Sequence, residues 1–459
     1  MPPTAVRELR ALLGEQAVLT GEEPGAREYL HDATVGRGVH GQAEAIVLAA
    51  DARQVSAVLG WCYQHDVPLT ARGGGTGLAG GAVPQGGVVL SLERLSAAPC
   101  IEPGVWSVPV EAGVTTATLR RRAREQGMYY PPDPGSALAA TIGGNIATNA
   151  GGPHTFKYGV TGAWVSGLTV VLAPGEVITL GGAARKDVGG YDLRSLLVGS
   201  EGTLGVVTSA TLKLIPAPAA QLPVIAHYPT VTAGCDALQA VLSSGVIPAA
   251  LEFLAIDDGF TLIAEADGSQ TEAADGAEEL RIAMSVGASS VETPTTLEAI
   301  TALWRWRDEV SVSVTGRRGG KLSEDIVVPV ARLHEAIEQT VEIGARHGLE
   351  ACSWGHAGDG NLHATFLLDP GDEAQLDRAE AAAGELFELA VRLGGSVSGE
   401  HGLGLVKHGA LALQWSERAL ELHDEIKRTF DPKGLLNPGK KLAHPPGREN
   451  LRAHLNRSS

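Results

Sequence analysis

The sequence lacks an excess of basic residues. It has 36 Lys and Arg against 53 Asp and Glu, which gives a formal net charge of −17 and a pI of about 5.3. A chain with this balance has no positive field that would attract a phosphate backbone. Nucleic acid is therefore excluded as a main partner.

Cysteine is scarce. The four cysteines, Cys62, Cys100, Cys235 and Cys352, are scattered and form no CxxC pair. This spacing predicts neither a disulfide framework nor a thiolate zinc site. Reduced thiols in a cytoplasm are the simplest interpretation.

Long apolar runs are missing as well. No stretch approaches the roughly 18 apolar residues of a membrane-spanning helix. The opening MPPTAVRELRALLGE predicts a short charged amphipathic helix without the apolar core of a signal peptide. We therefore expect a cytoplasmic protein without a transmembrane segment. Any peripheral association with a membrane would be through a partner.

Glycine, in contrast, is abundant, with 59 residues in a chain of 459. The length predicts roughly two to four domains, and a hydrophobic content of 44% is ample for sizeable cores. A glycine excess without a short period indicates loops that bring backbone against a ligand.

The chain is organised around GHAGDGNLH at residues 355–363. Strand-like runs on both sides of this stretch, at 350–354 and 362–368, predict a hairpin with a tight turn. Such a turn would bring His356 and His363 to a common point.

A second stretch, SGEHG at residues 398–402, supplies a third candidate ligand, Glu400, between glycines that allow close backbone approach. Two imidazoles and one carboxylate are a usual set for Zn²⁺ or a similar ion, with one position left for substrate. His401 would stay off the metal and move a proton. The alternative is that these are surface turn residues with satisfied imidazoles.

The first glycine block is RGGGTGLAGG at residues 72–81. Gly75, Gly77 and Gly80 match GxGxxG, but a strand follows where the dinucleotide fingerprint requires a helix, and there is no GK[ST]. A loop rich in free N–H groups between two strands is a nest for a phosphate or pyrophosphate. The alternative is a purely structural turn.

Two further glycine blocks follow, and then the composition changes. PPDPGS at 131–136 and residues 140–159 predict an irregular ribbon whose main chain grips a large planar ligand, and the third block lies at 198–208. Residues 215–218, IPAP, predict a domain boundary. Beyond it, alternating strands and amphipathic helices indicate an α+β domain built on an antiparallel sheet.

Eight motifs in this order, RGGGTGLAGG, PPDP, ATIGGNIATNAGG, KYG, GSEGTLG, GHAGDGNLH, SGEHG and GLLNPGK, resemble the FAD-linked oxidases of the vanillyl-alcohol oxidase (PCMH/VAO) type. The resemblance is to the branch with D-lactate dehydrogenase, D-2-hydroxyglutarate dehydrogenase and the glycolate oxidase flavin subunit. It implies an α+β fold with an FAD-binding domain of two α+β subdomains at 1–217 and a substrate and metal cap domain at 218–442. Residues 434–440 would return to the flavin, and 443–459 would form a tail.

The resemblance also implies which residues bind FAD. By position these are Arg72, Gly73, Gly74, Gly75, Thr76, Gly77, Leu78, Pro132, Asp133, Pro134, Gly135, Ser136, Thr141, Gly143, Gly144, Asn145, Thr148, Asn149, Gly151, Gly152, Tyr158, Gly159, Glu201, Gly205, Val206 and Asn437. Some relatives tether the flavin through a His in the first loop. That loop has no His here, so we expect non-covalent FAD.

In the family, residues matching His356, His363 and Glu400 hold a divalent ion, and the next His, His401 here, is the base. Zinc is the first expectation for the ion, with manganese and iron as alternatives. A 2-hydroxy acid that chelates the ion would have its hydroxyl pKa lowered and its Cα–H directed to flavin N5. The product of hydride transfer would be the 2-oxo acid.

The resemblance matches Arg307 to an arginine that binds the substrate carboxylate. The alternative is a solvated helix charge paired with Glu309 or Asp308. Lys321 is a weaker match, because its spacing to Pro329 is two residues longer than in the hydroxyglutarate enzymes.

Thr365 also departs from the hydroxyglutarate enzymes, which have asparagine at this position. Both departures favour a small D-2-hydroxy acid, such as lactate or glycolate, over a long dicarboxylate. Two other functions stay open: a metal-dependent hydrolase, and a flavin electron-carrier subunit without catalysis of its own. The electron acceptor, which could be a quinone, an electron-transfer flavoprotein, a cytochrome or O₂, and a homodimer or partner subunit also stay open.

Overall fold

The computed structural model describes residues 4–257 and 259–441, and the predicted tail at 443–459 lies outside them. We refer to residues 4–217 as the N-terminal region and to 218–441 as the C-terminal region. Among the described residues, no helix combines the length and the apolar character needed to cross a membrane.

The strands of the N-terminal region are, in chain order, β1 (Val18–Thr20), β2 (Ala45–Leu48), β3 (Leu69–Arg72), β4 (Val88–Ser91), β5 (Ser107–Glu111), β6 (Met128–Tyr129), β7 (Val165–Leu172), β8 (Glu176–Gly181), β9 (Val206–Lys213) and β10 (Ile215–Pro216). Its helices are α1 (Ala5–Leu13), α2 (Ala52–Gln64), α3 (Thr116–Glu125), α4 (Ile142–Thr148), α5 (Thr155–Tyr158), α6 (Thr161–Trp164) and α7 (Leu193–Leu197).

Two sheets organise this region, as the resemblance implied. The first has the order β1-β2-β4-β3, with β2 and β3 parallel to β4, and the second has the antiparallel order β5-β9-β7-β8. The parallel core explains why all four residues of β2 and of β4 are buried. Asp51 caps helix α2, whose Val55, Val58, Leu59 and Cys62 face the core at helical spacing.

The prediction of an irregular ribbon at 140–159 is wrong in part, because α4 and α5 lie within it. The Thr141 hydroxyl caps α4 by accepting from the Gly144 amide. Gly143 is tolerated in the helix because a Cβ there would lie 2.7 Å from the Ala112 Cβ, so close packing requires glycine. Thr141 is a residue type that favours a helix cap, but the many glycines of this stretch favoured the prediction of an irregular structure.

The strands of the C-terminal region are β11 (Ala220–Tyr228), β12 (Ala250–Ala255), β13 (Phe260–Gly268), β14 (Ser290–Glu292), β15 (Gly320–Val327), β16 (Ala351–His356) and β17 (Asn361–Leu368). Its helices are α8 (Val231–Ser243), α9 (Gln270–Met284), α10 (Leu297–Asp308), α11 (Val310–Arg318), α12 (Leu333–Arg346), α13 (Glu373–Arg392), α14 (Leu411–Gln414) and α15 (Glu417–Phe430).

Strands β11–β17 form the cap sheet, in the order β14-β11-β13-β12-β16-β17-β15 with every pair antiparallel. The predicted antiparallel sheet and the hairpin of β16 and β17 are confirmed. One face of the sheet packs on α8, α9, α12 and α13 through the largest apolar core. The other face, which we call the polar face, carries Glu252, Glu265, Lys321, Asp325, His356 and His363.

The end of the described chain returns to the N-terminal region. The Leu69 amide of β3 donates to Leu435 O at 2.8 Å, and the Asn437 amide donates to Leu69 O at 2.7 Å. Buried Asp431 accepts from the Leu436 amide at 2.8 Å and from the Tyr63 hydroxyl. The segment before residue 441 is therefore a fixed part of the first sheet's edge.

Candidate active site

A cavity of about 750 Å³ lies between the glycine loops of the N-terminal region and the polar face of the cap sheet. Its volume is within the range of roughly 300–1,000 Å³ usual for ligand pockets. The predicted residues that line it include the three candidate metal ligands, His401, Arg307, Lys321 and most of the candidate FAD-binding residues. The two groups of motifs thus meet in one space.

The candidate metal ligands converge as the sequence predicts. The Nε2 atoms of His356 and His363 each lie 3.6 Å from Glu400 Oε1, and one ligand atom from each residue lies within 4.8 Å of the others. These separations exceed a hydrogen bond, but ligands about 2.0–2.1 Å from a common zinc ion lie roughly 3.4 Å apart. The donor set and its spacing therefore fit a divalent cation.

Glu252 is a site residue that the sequence reasoning missed. It is fully buried on β12, directly opposite His356 in the register of the two strands. Its Oε1 accepts a 2.6 Å bond from His356 Nδ1, and its Oε2 accepts from Arg307 Nε at 2.9 Å. A carboxylate on the far nitrogen of a ligand histidine fixes the tautomer and aims the other nitrogen at the metal position. A lone Glu in the apolar run ALEFLA was the signal available in the sequence.

The two candidate ligand histidines differ in the direction in which the site shifts their pKa. Burial lowers the pKa of His363 to about 3, so this imidazole is neutral and its lone pair is free. Although burial opposes protonation of His356, the charges of Glu252 and Glu400 raise its pKa well above the usual value. Burial also disfavours ionised Glu400, yet His356 and His363 lower its pKa to about 2. Glu400 is therefore ionised, and the His356 imidazole beside it is positively charged.

Asp325, on β15, organises the whole SGEHG loop and was also missed. Its Oδ2 accepts from the backbone amides of Gly399, Glu400 and His401 at 2.8, 3.0 and 3.0 Å. Lys407 lies on the same buried carboxylate, 3.4 Å from Oδ2. Burial opposes ionisation, but Lys407 and the His401 amide help to hold the pKa of Asp325 well below its usual value. The SGEHG loop, which carries the candidate ligand Glu400 and the candidate base His401, is thus folded around the Asp325 carboxylate.

His401 lies beside the three candidate metal ligands and is not one of them. Its ring stacks on that of His363 at a centroid distance of 5.4 Å and an angle of 10°, and its Nε2 is 3.8 Å from Glu400 Oε1. It lines the cavity. This placement leaves the imidazole free to exchange a proton with a bound molecule.

Arg307 is not a solvated helix charge. It is 7% exposed, lines the cavity and pairs with Glu252, so the alternative of pairing with Glu309 or Asp308 is wrong. Through Glu252 it belongs to the same buried chain as His356.

Lys321 also lines the cavity, but its ammonium is held by the helix above. Its Nζ donates to Ser311 O at 2.6 Å and lies 5.0 Å from the centroid of the Trp354 ring. Burial lowers its pKa to about 8. The Thr365 hydroxyl forms a 2.8 Å hydrogen bond with the Ser323 hydroxyl. Position 365 therefore has a hydroxyl that is already paired, in place of the asparagine amide of the hydroxyglutarate enzymes.

The glycine loops form a wall of close-packed main chain. A Cβ on Gly74 would lie 2.0 Å from Ala139 O, whereas one on Gly135 would meet no atom within 4 Å. Gly74 therefore allows two loops to pack against each other, and Gly135 leaves the space beside it free for a ligand. Arg72 braces the wall: its guanidinium donates to the backbone oxygens of His31 and Glu28 at 2.6 and 2.7 Å.

Six of the candidate FAD-binding residues lie outside the cavity lining: Pro132, Asp133, Asn149, Tyr158, Gly159 and Asn437. Asn437 stands behind the wall, where its Nδ2 donates to Gly81 O and Glu201 O at 2.8 and 2.7 Å. Glu201 lines the cavity, and its carboxylate accepts from the amides of Leu403 and Gly404 at 2.9 and 2.8 Å. These residues connect the loops to each other and to the segment after SGEHG.

Among the lining residues that the sequence did not point to are Arg37, Ser311 and Thr315. They come from a short 3-10 helix near the start of the chain and from α11. Arg37 reaches across to buried Glu324 on β15, with a distance of 2.7 Å between Nη1 and Oε1. Only the tertiary structure brings these segments to the cavity.

Two family profiles match the chain: "FAD binding domain" at residues 43–181 and "FAD linked oxidases, C-terminal domain" at 217–441. The glycolate oxidase subunit GlcD of Bacillus subtilis is 36% identical over 87% of this chain and 89% of its own. A D-lactate dehydrogenase of Archaeoglobus fulgidus is 38% identical over 86% and 90%. A D-2-hydroxyglutarate dehydrogenase of Xanthomonas citri is 34% identical over 86% and 88%.

Solved structures support the fold. A 4-ethylphenol oxidase from Gulosibacter chungangensis has a TM-score of 0.80 at 19% identity, covering 96% of this chain and 97% of its own. A p-cresol methylhydroxylase has a TM-score of 0.76 at 19% identity, covering 95% and 96%. The predicted fold class is confirmed.

The role of Asp325 can be tested by Asp325→Ala. This change leaves three loop amides and Lys407 without their common acceptor, so we expect the free energy of unfolding to fall by about 3–5 kcal/mol. The matched control is Ser398→Ala, which removes one donor to the same carboxylate and should cost about 1 kcal/mol. Urea unfolding of both variants measures this, and equal losses would contradict the assignment.

Proposed function

The chain belongs to the family of FAD-linked oxidases, and we propose that it oxidises a small D-2-hydroxy acid, lactate-like or glycolate-like, to the 2-oxo acid. As a member of this family it is an FAD-dependent oxidoreductase. The observation that carries the proposal is that one cavity is lined both by the glycine loops and by His356, His363, Glu400 and His401. A metal-dependent hydrolase would have no use for those loops, so family membership leaves that alternative without support.

FAD would be held by the main chain of the three glycine blocks. The first loop offers backbone amides and no histidine, which supports non-covalent binding. The divalent ion, zinc in the first instance, would be held by the three donors that converge at 3.6 Å. Manganese and iron are alternatives that the same donors could bind.

When bound, FAD would accept the Cα hydrogen as hydride at N5, and the divalent ion would lower the pKa of the substrate hydroxyl. The residues of this chain provide the rest. His401 takes the hydroxyl proton, since its ring is fixed against His363 and its amide is anchored by Asp325. Arg307 offers a buried positive charge to the substrate carboxylate, because Nη1 takes no part in its pair with Glu252.

A small substrate is supported by the way two polar side chains of the cap sheet are paired. Thr365 is bonded to Ser323, and Lys321 is drawn toward Ser311 of the covering helix. A second carboxylate would have to break these contacts before it found a partner. A lactate-like or glycolate-like acid needs only Arg307 and the metal.

The reduced flavin needs an electron acceptor, and we propose that this chain works with a partner. The Bacillus subtilis relative is named as a subunit, which supports a multi-subunit arrangement. A quinone, an electron-transfer flavoprotein, a cytochrome and O₂ are the alternatives for the acceptor. A flavin subunit that never reacts with a hydroxy acid remains the second candidate.

A panel of D- and L-hydroxy acids, added anaerobically to the flavin-loaded protein, tests the proposal. We expect D-lactate or glycolate to bleach the flavin absorbance, and D-2-hydroxyglutarate to do so much more slowly. Stopped-flow absorbance measures each rate. If no acid bleaches a bound flavin, the electron-carrier function is correct instead.

The role of His401 can be tested by His401→Ala. Without the base, flavin reduction should slow by about 10²–10⁴-fold, while the yellow colour is retained because FAD does not depend on this side chain. The control is His347→Ala at the end of α12, where the imidazole pairs with Glu385 on the surface and the rate should be unchanged. Reduction of the His401→Ala flavin at the parental rate would disprove the assignment.

The metal can be tested without any substrate. We expect His356→Ala to lose the ion, and Glu252→Gln to weaken its binding by about 10–100-fold because the ligand histidine loses its orienting carboxylate. Metal content after gel filtration and calorimetric zinc titration measure both effects. The control Glu385→Gln, in an exposed ion pair, should bind as the parent does. Unchanged zinc affinity in Glu252→Gln would contradict the orienting role.

A further inference from the structure

Helix α10 (Leu297–Asp308) covers the cavity, and its apolar contact with the cap sheet is made by the partly buried Leu303 and Trp304. Arg307 is the one residue of this helix that is buried, and Leu297 and Trp306 are exposed. A helix in a folded protein is normally held by an apolar face. Two polar contacts to the cap sheet add to this small apolar contact: Arg307 to Glu252, and the Trp304 indole to Glu265 Oε2 at 2.9 Å.

The second anchor, Glu265, is itself a buried charge. Its side chain is 2% exposed on β13. Its Oε1 receives Gln221 Nε2 at 2.9 Å and His154 Nε2 at 3.0 Å, opposite the indole on Oε2. A buried carboxylate of this kind is stable only while it is paired and hydrogen-bonded. Whatever holds Glu265 in place therefore helps to hold α10.

His154 comes from the N-terminal region, just before α5, and is 7% exposed. While its Nε2 lies on Glu265, its Nδ1 lies 2.5 Å from Asp133 Oδ2. An ionised carboxylate only accepts, so both ring nitrogens must carry a proton, and the ring is an imidazolium. Burial would lower the pKa of His154, but Asp133 and Tyr129 raise it well above its usual value.

We propose that His154 is a positioning residue: bonded to Asp133 on one side and to Glu265 on the other, it fixes α10, and with it the Arg307 guanidinium, over the cavity. The chain of contacts runs from the PPDPGS loop of the N-terminal region to the helix above the candidate active site. It is made of charged hydrogen bonds in a buried setting, which are the strong kind.

Replacement of His154 should loosen α10 without separating the two regions. A neutral side chain would leave Asp133 and Glu265 without the cation between them, and Glu265 would then be a poorer partner for Trp304. A second set of contacts crosses the same junction, because Asp267 on β13 pairs with Lys157 and Tyr158 of α5. These contacts should keep a His154→Gln variant folded.

The first test is hydrogen exchange on the flavin-loaded protein, read by mass spectrometry in peptides covering residues 297–308. His154→Gln should speed exchange of the α10 amides by about tenfold or more, as expected when a charged hydrogen bond is lost. Trp304→Phe keeps an aromatic side chain but removes the indole N–H, and should have the same effect. The double variant should add little, since both changes break one chain.

The matched control is Lys157→Ala, which removes the neighbouring ion pair between the same two elements. It should leave exchange in α10 at the parental rate, and its effect should simply add to that of His154→Gln. Parental exchange of α10 in His154→Gln would overturn the proposal. If that variant failed to fold, parental exchange in Trp304→Phe would overturn it equally.

A kinetic test follows, and it rests on the proposed function. If α10 is displaced, Arg307 is displaced from the substrate carboxylate, so His154→Gln should raise KM for the hydroxy acid by about tenfold and lower kcat less. A general loss of stability would not separate KM from kcat in this way. An equal fall in both would contradict positioning through α10. If the parent oxidised no hydroxy acid, the proposed function would fail, and hydrogen exchange would still decide the role of His154.

Discussion

The structure depends on the two-residue alternation of the cap sheet. Side chains on neighbouring antiparallel strands stand on one face when their positions are paired in register. Glu252 faces His356, and Trp354 and Asp325 face His363, so residues far apart in sequence share one surface. A slip of one residue in any of these strands would send its site residue into the apolar core on the opposite face.

Buried charge is the second constraint, and the buried carboxylates of the candidate site have defined partners. Asp325 holds the SGEHG loop through three amides and Lys407, and Glu252 holds both His356 and Arg307. Charges buried in this way contribute little net stability, but they specify geometry, because any other arrangement leaves an ion unpaired. The site can therefore place a carboxylate and two imidazoles a few ångströms apart without collapse.

The N-terminal region contributes main chain more than side chains. Close contacts such as Gly74 on Ala139 and Gly143 on Ala112 bring three loops against each other, and only glycine permits them. Asn437 and Glu201 then join these loops to the end of the chain and to the cap. The wall of glycine loops and the polar face of the cap sheet are thus parts of one bonded unit, and contacts at their junction, such as those of His154, bear on the geometry of the cavity.

The sequence by itself determined the elements that local spacing encodes: the hairpin of β16 and β17, the glycine loop that is not a Rossmann turn, and the convergence of His356, His363 and Glu400. Such features follow from residues close in sequence or from a motif whose spacing predicts its geometry. Glu252, Asp325, Arg37 and the partner of Arg307 were decided only by the tertiary structure. Their partners lie far away in sequence, and nothing in an isolated run such as ALEFLA tells which strand will lie beside it. Strand order and register depend on packing of the whole sheet, and so the residues that orient the site became visible only in the folded chain.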